Sequence, residues 1–129
     1  MMGHDFMPYQ ARRGDVITEN AISFGKSTQL VEMPISWSLD DFPHFEYFRG
    51  GGLMHAGQVL DNWLGDLTYM QTATDWGVLT YTFHPFVIGR GHRMLMLEKF
   101  LNHVEGHDVR FATIEEVARE HRRLHPLGG

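Results

Sequence analysis

Hydrophobic positions recur with a helical period in the middle of the chain. Between Ala56 and Ala73 the apolar residues are spaced by one, three and four positions, which is typical of an amphipathic helix. These residues are Val59, Leu60, Trp63, Leu64, Leu67 and Met70. Gly77 follows as a predicted stop signal, so the sequence predicts one long helix over this stretch.

Two further helices are predicted towards the end of the chain. The first follows a glycine turn and ends at Gly106, and its apolar stripe consists of Met94, Leu97, Leu101 and Val104. The second opens at Thr113, because Glu116 three residues later completes a capping box. Its inward stripe is predicted to be Ile114, Val117, Ala118 and Leu124.

Short apolar or alternating runs precede each of these helices and predict strands. Residues 29–37, QLVEMPISW, suit a buried strand, although Pro34 cannot donate to a central ladder. In residues 78–84, VLTYTFH, successive side chains alternate, so that His84 ends one face. Residues 108–113, DVRFAT, predict a third strand. Residues 1–28 are expected to be irregular, with a short hairpin around Gly14 and Asp15, and residues 40–55 to form a long aromatic-rich loop.

The order strand, helix, strand, helix, strand, helix predicts an α/β fold with parallel strands and right-handed crossovers. At 129 residues the chain suits one domain, here residues 1–129 with 1–28 as a lead-in. Active sites of such folds gather at the carboxyl ends of the strands. SWSLDDFP and TFHPFVIGR both lie at such ends, so the sequence predicts that they form a common site.

The composition indicates which binding partners and which cellular compartment to expect. The net charge is −5 and the 11 basic residues are scattered, which argues against a nucleic-acid partner. The absence of cysteine excludes disulfides, thiolate metal sites and cysteine nucleophiles. No stretch has the length of a signal-peptide core or a membrane span, so we expect a cytoplasmic protein that does not contact the membrane.

His84 is the leading candidate for chemistry. It could act as a general acid or base if Asp40 or Asp41 fixed its tautomer; the alternative is a strand-end histidine satisfied by backbone groups. Trp37 could form the wall of a pocket or be a buried structural tryptophan.

Other charged and histidine residues are weaker candidates. Arg90 and Arg93 could bind an anionic group or be solvated. Two H-x-x-x-H spacings, His103 with His107 and His121 with His125, could offer metal ligands. The first pair spans the helix-stopping Gly106, and the second lies among arginines, so neither is favoured as a metal site. Serine-nucleophile and phosphate-loop motifs are absent from the sequence.

Three segments together resemble a known family. They are LVEMPISWSLDDFPHFEYF, GVLTYTFHPFVIGRGHRMLMLEKFLNHV and VRFATIEEVA. They are similar to the last part of the polysaccharide deacetylases of the NodB-homology type, carbohydrate esterase family 4. The branch that contains peptidoglycan-deacetylase-like proteins and allantoinases resembles them most. The likeness extends from about MMGHDF to VAREH.

The resemblance implies a fold, a reaction and roles for residues. The fold would be the C-terminal portion of a distorted parallel (β/α) barrel, and the reaction would be metal-dependent hydrolysis of a non-peptide carbon–nitrogen bond. His84 would protonate the leaving amine, and Asp40 or Asp41 would support it. The candidate substrate-binding residues are Trp37, Phe42 and Arg90. The substrate would be an acetylated sugar or a cyclic amide or ureide such as allantoin.

One departure from the family limits what this chain is expected to do alone. The family's Thr-Phe-Asp-Asp motif and its metal-binding H-x-x-x-H have no counterpart here. We therefore expect the carboxyl-terminal part of a longer hydrolase, starting at an internal methionine. The complete domain would bind a zinc-like divalent metal, whereas this chain alone is expected to bind none and to be nearly inert. Its open strand edges predict a homo-oligomer or pairing with an N-terminal half. The rival hypothesis is a non-catalytic remnant or assembly module.

Overall fold

The structure, a computed structural model, describes residues 6–46 and 52–126. Four short strands come first, a 3₁₀ turn and a short helix follow, and four helices complete the described part. The strands are β1 (Tyr9–Arg13), β2 (Val16–Ile17), β3 (Ile22–Ser23) and β4 (Lys26–Glu32). The helices are α1 (Asp41–Phe45), α2 (Ala56–Ala73), α3 (Pro85–Ile88), α4 (Gly91–Glu105) and α5 (Ile114–Leu124), and the 3₁₀ turn is Trp37–Leu39.

The amino-terminal segment is more regular than its sequence predicted. β1 pairs antiparallel with β4, and β2 with β3, so one hairpin lies at the tip of another. Gly14, at φ +86°, turns the chain out of β1 in the left-handed region that glycine adopts most easily. The expectation of an irregular segment was therefore wrong for residues 9–28. Most side chains of these strands are exposed on both faces, so the sequence carries no alternation that would reveal them.

The three predicted strands are shorter than expected or absent. Residues 29–32 belong to β4, but the chain then leaves the sheet and enters the 3₁₀ turn. Residues 78–84 are connected to the preceding segment by one parallel bridge, between Asp40 and Thr82. Residues 108–113 form no strand, and both two-stranded sheets of the described residues are antiparallel. The fold is thus a mixture of helix and strand, and the parallel barrel stays a prediction.

The long central helix was predicted correctly, but its stop signal was not. α2 has the predicted bounds, and it ends because Thr74 adopts an extended conformation while its N–H still bonds to the Met70 carbonyl. Gly77 instead allows a close approach, since a Cβ atom at this position would lie 2.9 Å from Met70 Sδ. The helix buries Val59, Trp63 and Leu67, as its period predicted.

The two later helices form as predicted but bury different faces. α4 ends at Gly106, yet its buried residues are Arg93, Met96, Phe100 and Val104. Met94 and Leu101 from the predicted stripe are exposed.

In α5 the capping box of Thr113 and Glu116 is present. Ile114 and Leu124 of its predicted stripe are exposed, whereas His121 is buried. Apolar spacing missed these faces because each includes a buried polar residue.

The core lies between α2 and α4 and is centred on Trp63. The Trp63 side chain is fully buried, and its ring lies 5.4 Å from Tyr81, 5.6 Å from Phe83 and 6.0 Å from Phe100. Its Nε1 donates a hydrogen bond to the Ser38 carbonyl at 2.8 Å. One side chain thus joins both segments that lead to the predicted site. None of the helices in the described residues is long and apolar enough to cross a bilayer.

Candidate functional site: an aspartate–histidine pair

Two segments distant in sequence meet at the parallel bridge. The Asp41 N–H donates to the Thr82 carbonyl at 3.1 Å, and the Thr82 N–H donates to the Leu39 carbonyl at 2.9 Å. Each segment then turns into a short helix, α1 after Asp40 and α3 after His84. The bridge therefore brings Asp40, Asp41 and His84 together, but at neighbouring helix starts and not, as the sequence predicted, at the ends of two strands.

Asp41 holds His84 at two points. The side chain of Asp41 is fully buried, its Oδ1 lies 2.7 Å from His84 Nδ1, and its Oδ2 accepts the His84 backbone N–H at 2.9 Å. Asp40 lies farther away, with 3.7 Å between its Oδ1 and the same ring nitrogen. Its Oδ1 accepts the Phe42 N–H and so caps α1. Of the two carboxylates that the sequence left open, Asp41 is the one that binds the imidazole.

This contact sets the tautomer and the basicity of His84. An ionised carboxylate can only accept a hydrogen bond, so the nitrogen that faces Asp41, Nδ1, carries a proton. The second ring nitrogen, Nε2, is then the one that can exchange a proton with a substrate. Within residues 6–46 and 52–126 no group hydrogen-bonds Nε2, and the side chain is 35% exposed. The hydrogen bond to Asp41 raises the His84 pKa above 6.5, partial burial opposes this, and the charges of Asp41 and Asp40 add to the increase.

The raised pKa makes the contribution of this pair to folding dependent on pH. A histidine whose pKa is higher in the folded state stabilises the fold fully below its unfolded value of about 6.5. This contribution is lost as the pH rises through the folded pKa of His84. We therefore expect the pair to contribute most to the stability of the fold in mildly acidic solution.

Two aromatic rings lie beside the histidine of the pair. The His84 ring lies 5.5 Å from Phe42 and 5.8 Å from Phe86, and these two phenylalanines are 6.2 Å apart. Sequence reasoning named Phe42 but missed Phe86, which is 66% exposed. The signal was its position two residues after His84, on a helix that was not predicted.

The chain is 29% identical, over 142 aligned residues, to a peptidoglycan deacetylase of Helicobacter pylori. The chain is thus similar in sequence to a peptidoglycan deacetylase. The alignment covers 98% of the chain but 48% of that relative, so the chain spans about half of the relative's length.

Two solved structures show a similarity of the same kind. A protein assigned as a polysaccharide deacetylase from Mycobacterium smegmatis superposes with a TM-score of 0.72 at 27% identity. One from Pseudomonas aeruginosa superposes with 0.70 at 28% identity. They cover 92% and 96% of this chain, which corresponds to 38% of each solved chain. No protein-family model matches the sequence.

Among the other residues predicted to bind substrate or an anion, Trp37 and Arg90 are exposed and Arg93 is buried. Trp37 is 70% exposed, so it is not the buried structural tryptophan that was the alternative; Trp63 has that position. Arg90 is exposed at the start of α4, and its side chain makes no capping hydrogen bond. Arg93, the other predicted anion ligand, is buried and bonded to protein groups, so it is neither solvated nor open to a ligand.

The polysaccharide deacetylase resemblance implies a divalent metal, and the described residues include one group to test against it. Ligand atoms of Asp40, Asp41 and His84 lie within 4.8 Å of one another. A metal between these three groups would need a nitrogen lone pair that faces the carboxylates, but the ring nitrogen that faces them, Nδ1, is protonated and donates a hydrogen bond to Asp41; the lone pair of the neutral ring is on Nε2, the other ring nitrogen. Both Asp41 oxygens accept from His84, and Asp40 Oδ1 accepts from Phe42. The group therefore fits a hydrogen-bonded acid, not a divalent metal centre.

The two histidine pairs behave as structural groups. The rings of His103 and His107 stack at 4.2 Å, and His107 Nδ1 bonds to the His103 carbonyl. His121 and His125 lie 4.9 Å apart. Burial lowers the His121 pKa, and the charges of His125 and Arg122 lower it further. No third ligand joins either pair within the described ranges.

Replacing the buried carboxylate should separate the roles of the two aspartates. In Asp41→Asn the His84 pKa is expected to fall towards 6.5, because its strongest hydrogen bond loses the negative charge. Asp40→Asn is the matched control: asparagine is also a good N-cap, and the 3.7 Å separation predicts a smaller fall. NMR titration of the imidazole measures both. A larger fall in Asp40→Asn would contradict the assignment.

Proposed function

We propose that this chain supplies the proton-donating part of a hydrolase that cleaves the amide carbon–nitrogen bond of an N-acetylated polysaccharide. The observation that carries the proposal is the buried Asp41 carboxylate bonded to both the ring and the backbone of His84. The likeness to a peptidoglycan deacetylase and to two polysaccharide deacetylase structures supports the reaction class.

The geometry suits a general acid. Asp41 holds the Nδ1 proton and stabilises the imidazolium, so that Nε2 can give its proton to the amine nitrogen as the carbon–nitrogen bond breaks. The backbone bond between His84 N–H and Asp41 Oδ2 fixes the ring's position relative to the carboxylate. The raised pKa keeps more of the imidazole protonated near neutral pH, which a proton donor requires.

The surroundings of the pair favour a sugar substrate. Phe42 and Phe86 present aromatic faces beside His84, and such faces can bury the apolar side of a sugar ring. A cyclic ureide remains the alternative substrate. The names of the relatives favour the acetylated polysaccharide, since they refer to peptidoglycan or polysaccharide.

We further propose that the base and the metal ligands are supplied by a segment that corresponds to the part of the relatives this sequence does not span. The Asp40, Asp41 and His84 group does not fit a metal, and the chain spans about half of its relatives. Exposed apolar side chains near the bridge offer a surface to such a segment; they are Ile35, Phe83 and Phe86. The parallel bridge also leaves strand edges able to pair.

Complementation tests this proposal. The chain is mixed with a separately expressed segment of the Helicobacter relative that it does not span, in the presence of zinc, and acetate release from an N-acetylated oligosaccharide is measured. We expect release from the mixture and almost none from either chain alone. Robust release by this chain alone with zinc would contradict the division of the site. A stable complex without release would favour the non-catalytic assembly module.

A further inference from the structure

Arg93 is a buried arginine in the first turn of α4, and no sequence pattern predicted its partners. It is 6% exposed, and its guanidinium lies over the Phe45 ring at 4.7 Å from the ring centre. Its Nη1 donates to the Val87 carbonyl at 2.7 Å and to Glu46 Oε1 at 3.1 Å. Its Nη2 donates to the Phe45 carbonyl at 3.1 Å. Burying a charged side chain is costly, and here the guanidinium donates hydrogen bonds to two backbone carbonyls and one carboxylate.

The two carbonyls lie near the ends of the two short helices. Phe45 is the last residue of α1, and Val87 is the last but one of α3. The final carbonyls of a helix have no partner within it, and in helices of four and five residues this concerns most of the carbonyl groups. The planar fork of arginine reaches both helices at once, which the single ammonium of lysine does less well. Arg93 thus connects α1 to α3.

The opposite ends of the same helices carry the site. Asp41 is the first residue of α1, and His84 is the N-cap of α3. One turn of helix separates each from the carbonyl that Arg93 binds. The bridge through Thr82 holds the two segments before the site, and the guanidinium holds them after it. The Asp41–His84 pair therefore lies between two sets of hydrogen bonds that connect the two segments.

We propose that Arg93 is a positioning residue that fixes the distance between the Asp41 carboxylate and His84 Nδ1. It touches neither side chain and acts through α1 and α3. As a statement about catalysis the inference rests on the proposed function, but the geometry of the pair can be measured without any substrate.

The test compares NMR titrations of His84 in the 129-residue chain and its variants. Arg93→Met keeps much of the side-chain volume but removes every donor, and we expect the His84 pKa to fall towards 6.5, as in Asp41→Asn. Arg93→Lys can restore part of the contacts and should give an intermediate value. Asp40 and Asp41, the charged groups that face His84, are unchanged in both variants.

Val104→Ala is the matched control for a loss of stability alone. Val104 is buried in the same helix, far along the chain from these contacts, and its truncation should destabilise the fold and leave the His84 titration unchanged. A folded Arg93→Met chain with a wild-type titration would overturn the proposal. If Arg93→Met does not fold, a wild-type titration in Arg93→Lys overturns it, and an intermediate one supports it. Failure of the complementation assay would count against the proposed reaction and leave this result intact.

Discussion

Replacing His84 with glutamine is expected to lower kcat of the complemented enzyme by about 10²- to 10⁴-fold, the usual contribution of a positioned general acid. Glutamine can still bond to Asp41, but it cannot carry the proton that the leaving amine needs. Wild-type activity should decline as the pH rises through the raised pKa of His84, because the acid is then deprotonated. In His84→Gln this decline should disappear from the pH profile of the residual activity.

His92→Gln is the matched control for that measurement. His92 is an exposed histidine at the start of α4, and we expect its replacement to leave kcat and the pH profile unchanged. Steady-state acetate release across a pH series compares the three proteins. If His84→Gln keeps its activity within a few-fold of wild type, the proton donor is not His84.

Trp63→Ala is expected to lower the free energy of unfolding by about 3–5 kcal/mol, the usual cost of truncating a large buried aromatic side chain. The indole is fully buried among aromatic rings, and its loss also leaves the Ser38 carbonyl without its donor. Since small domains are stable by about 5–15 kcal/mol, a large share of the stability would be lost. Ser38 lies just before the aspartates, so we expect the His84 resonances to change as well.

The control for Trp63 is Phe111→Ala. Phe111 is 72% exposed, and we expect its truncation to change stability by roughly 0.5 kcal/mol or less, as for most surface positions. Urea denaturation of the three proteins gives the free energies. Equal losses in both variants would show that Trp63 is not the centre of the core.

The helices were predictable because their signals are local. The bounds of α2 follow from apolar residues three and four apart, and the capping box at Thr113 follows from two residues in one turn. The faces of α4 and α5 were predicted less well. In both, the buried set includes a polar residue, Arg93 or His121, which a count of apolar residues does not include.

The strands were predicted poorly because pairing is not local. β1 and β4 are separated by the whole inner hairpin, and their mostly exposed side chains give no two-residue alternation. Residues 78–84 do alternate, yet they are joined to their neighbour by one bridge, because a strand also needs a partner along its length.

For the candidate site, the sequence was enough to predict which residue types would meet, and the tertiary structure decided which of them are in contact. The histidine after an alternating run and the paired aspartates led to the prediction of an acid and its support. Only the bridge at Thr82 made Asp41 the buried partner and left Asp40 as a helix cap, since adjacent residues point in different directions. Only the tertiary structure shows that Arg93, predicted as an anion ligand, connects α1 to α3. The partners that make this connection are two backbone carbonyls, which every residue carries and no sequence pattern marks.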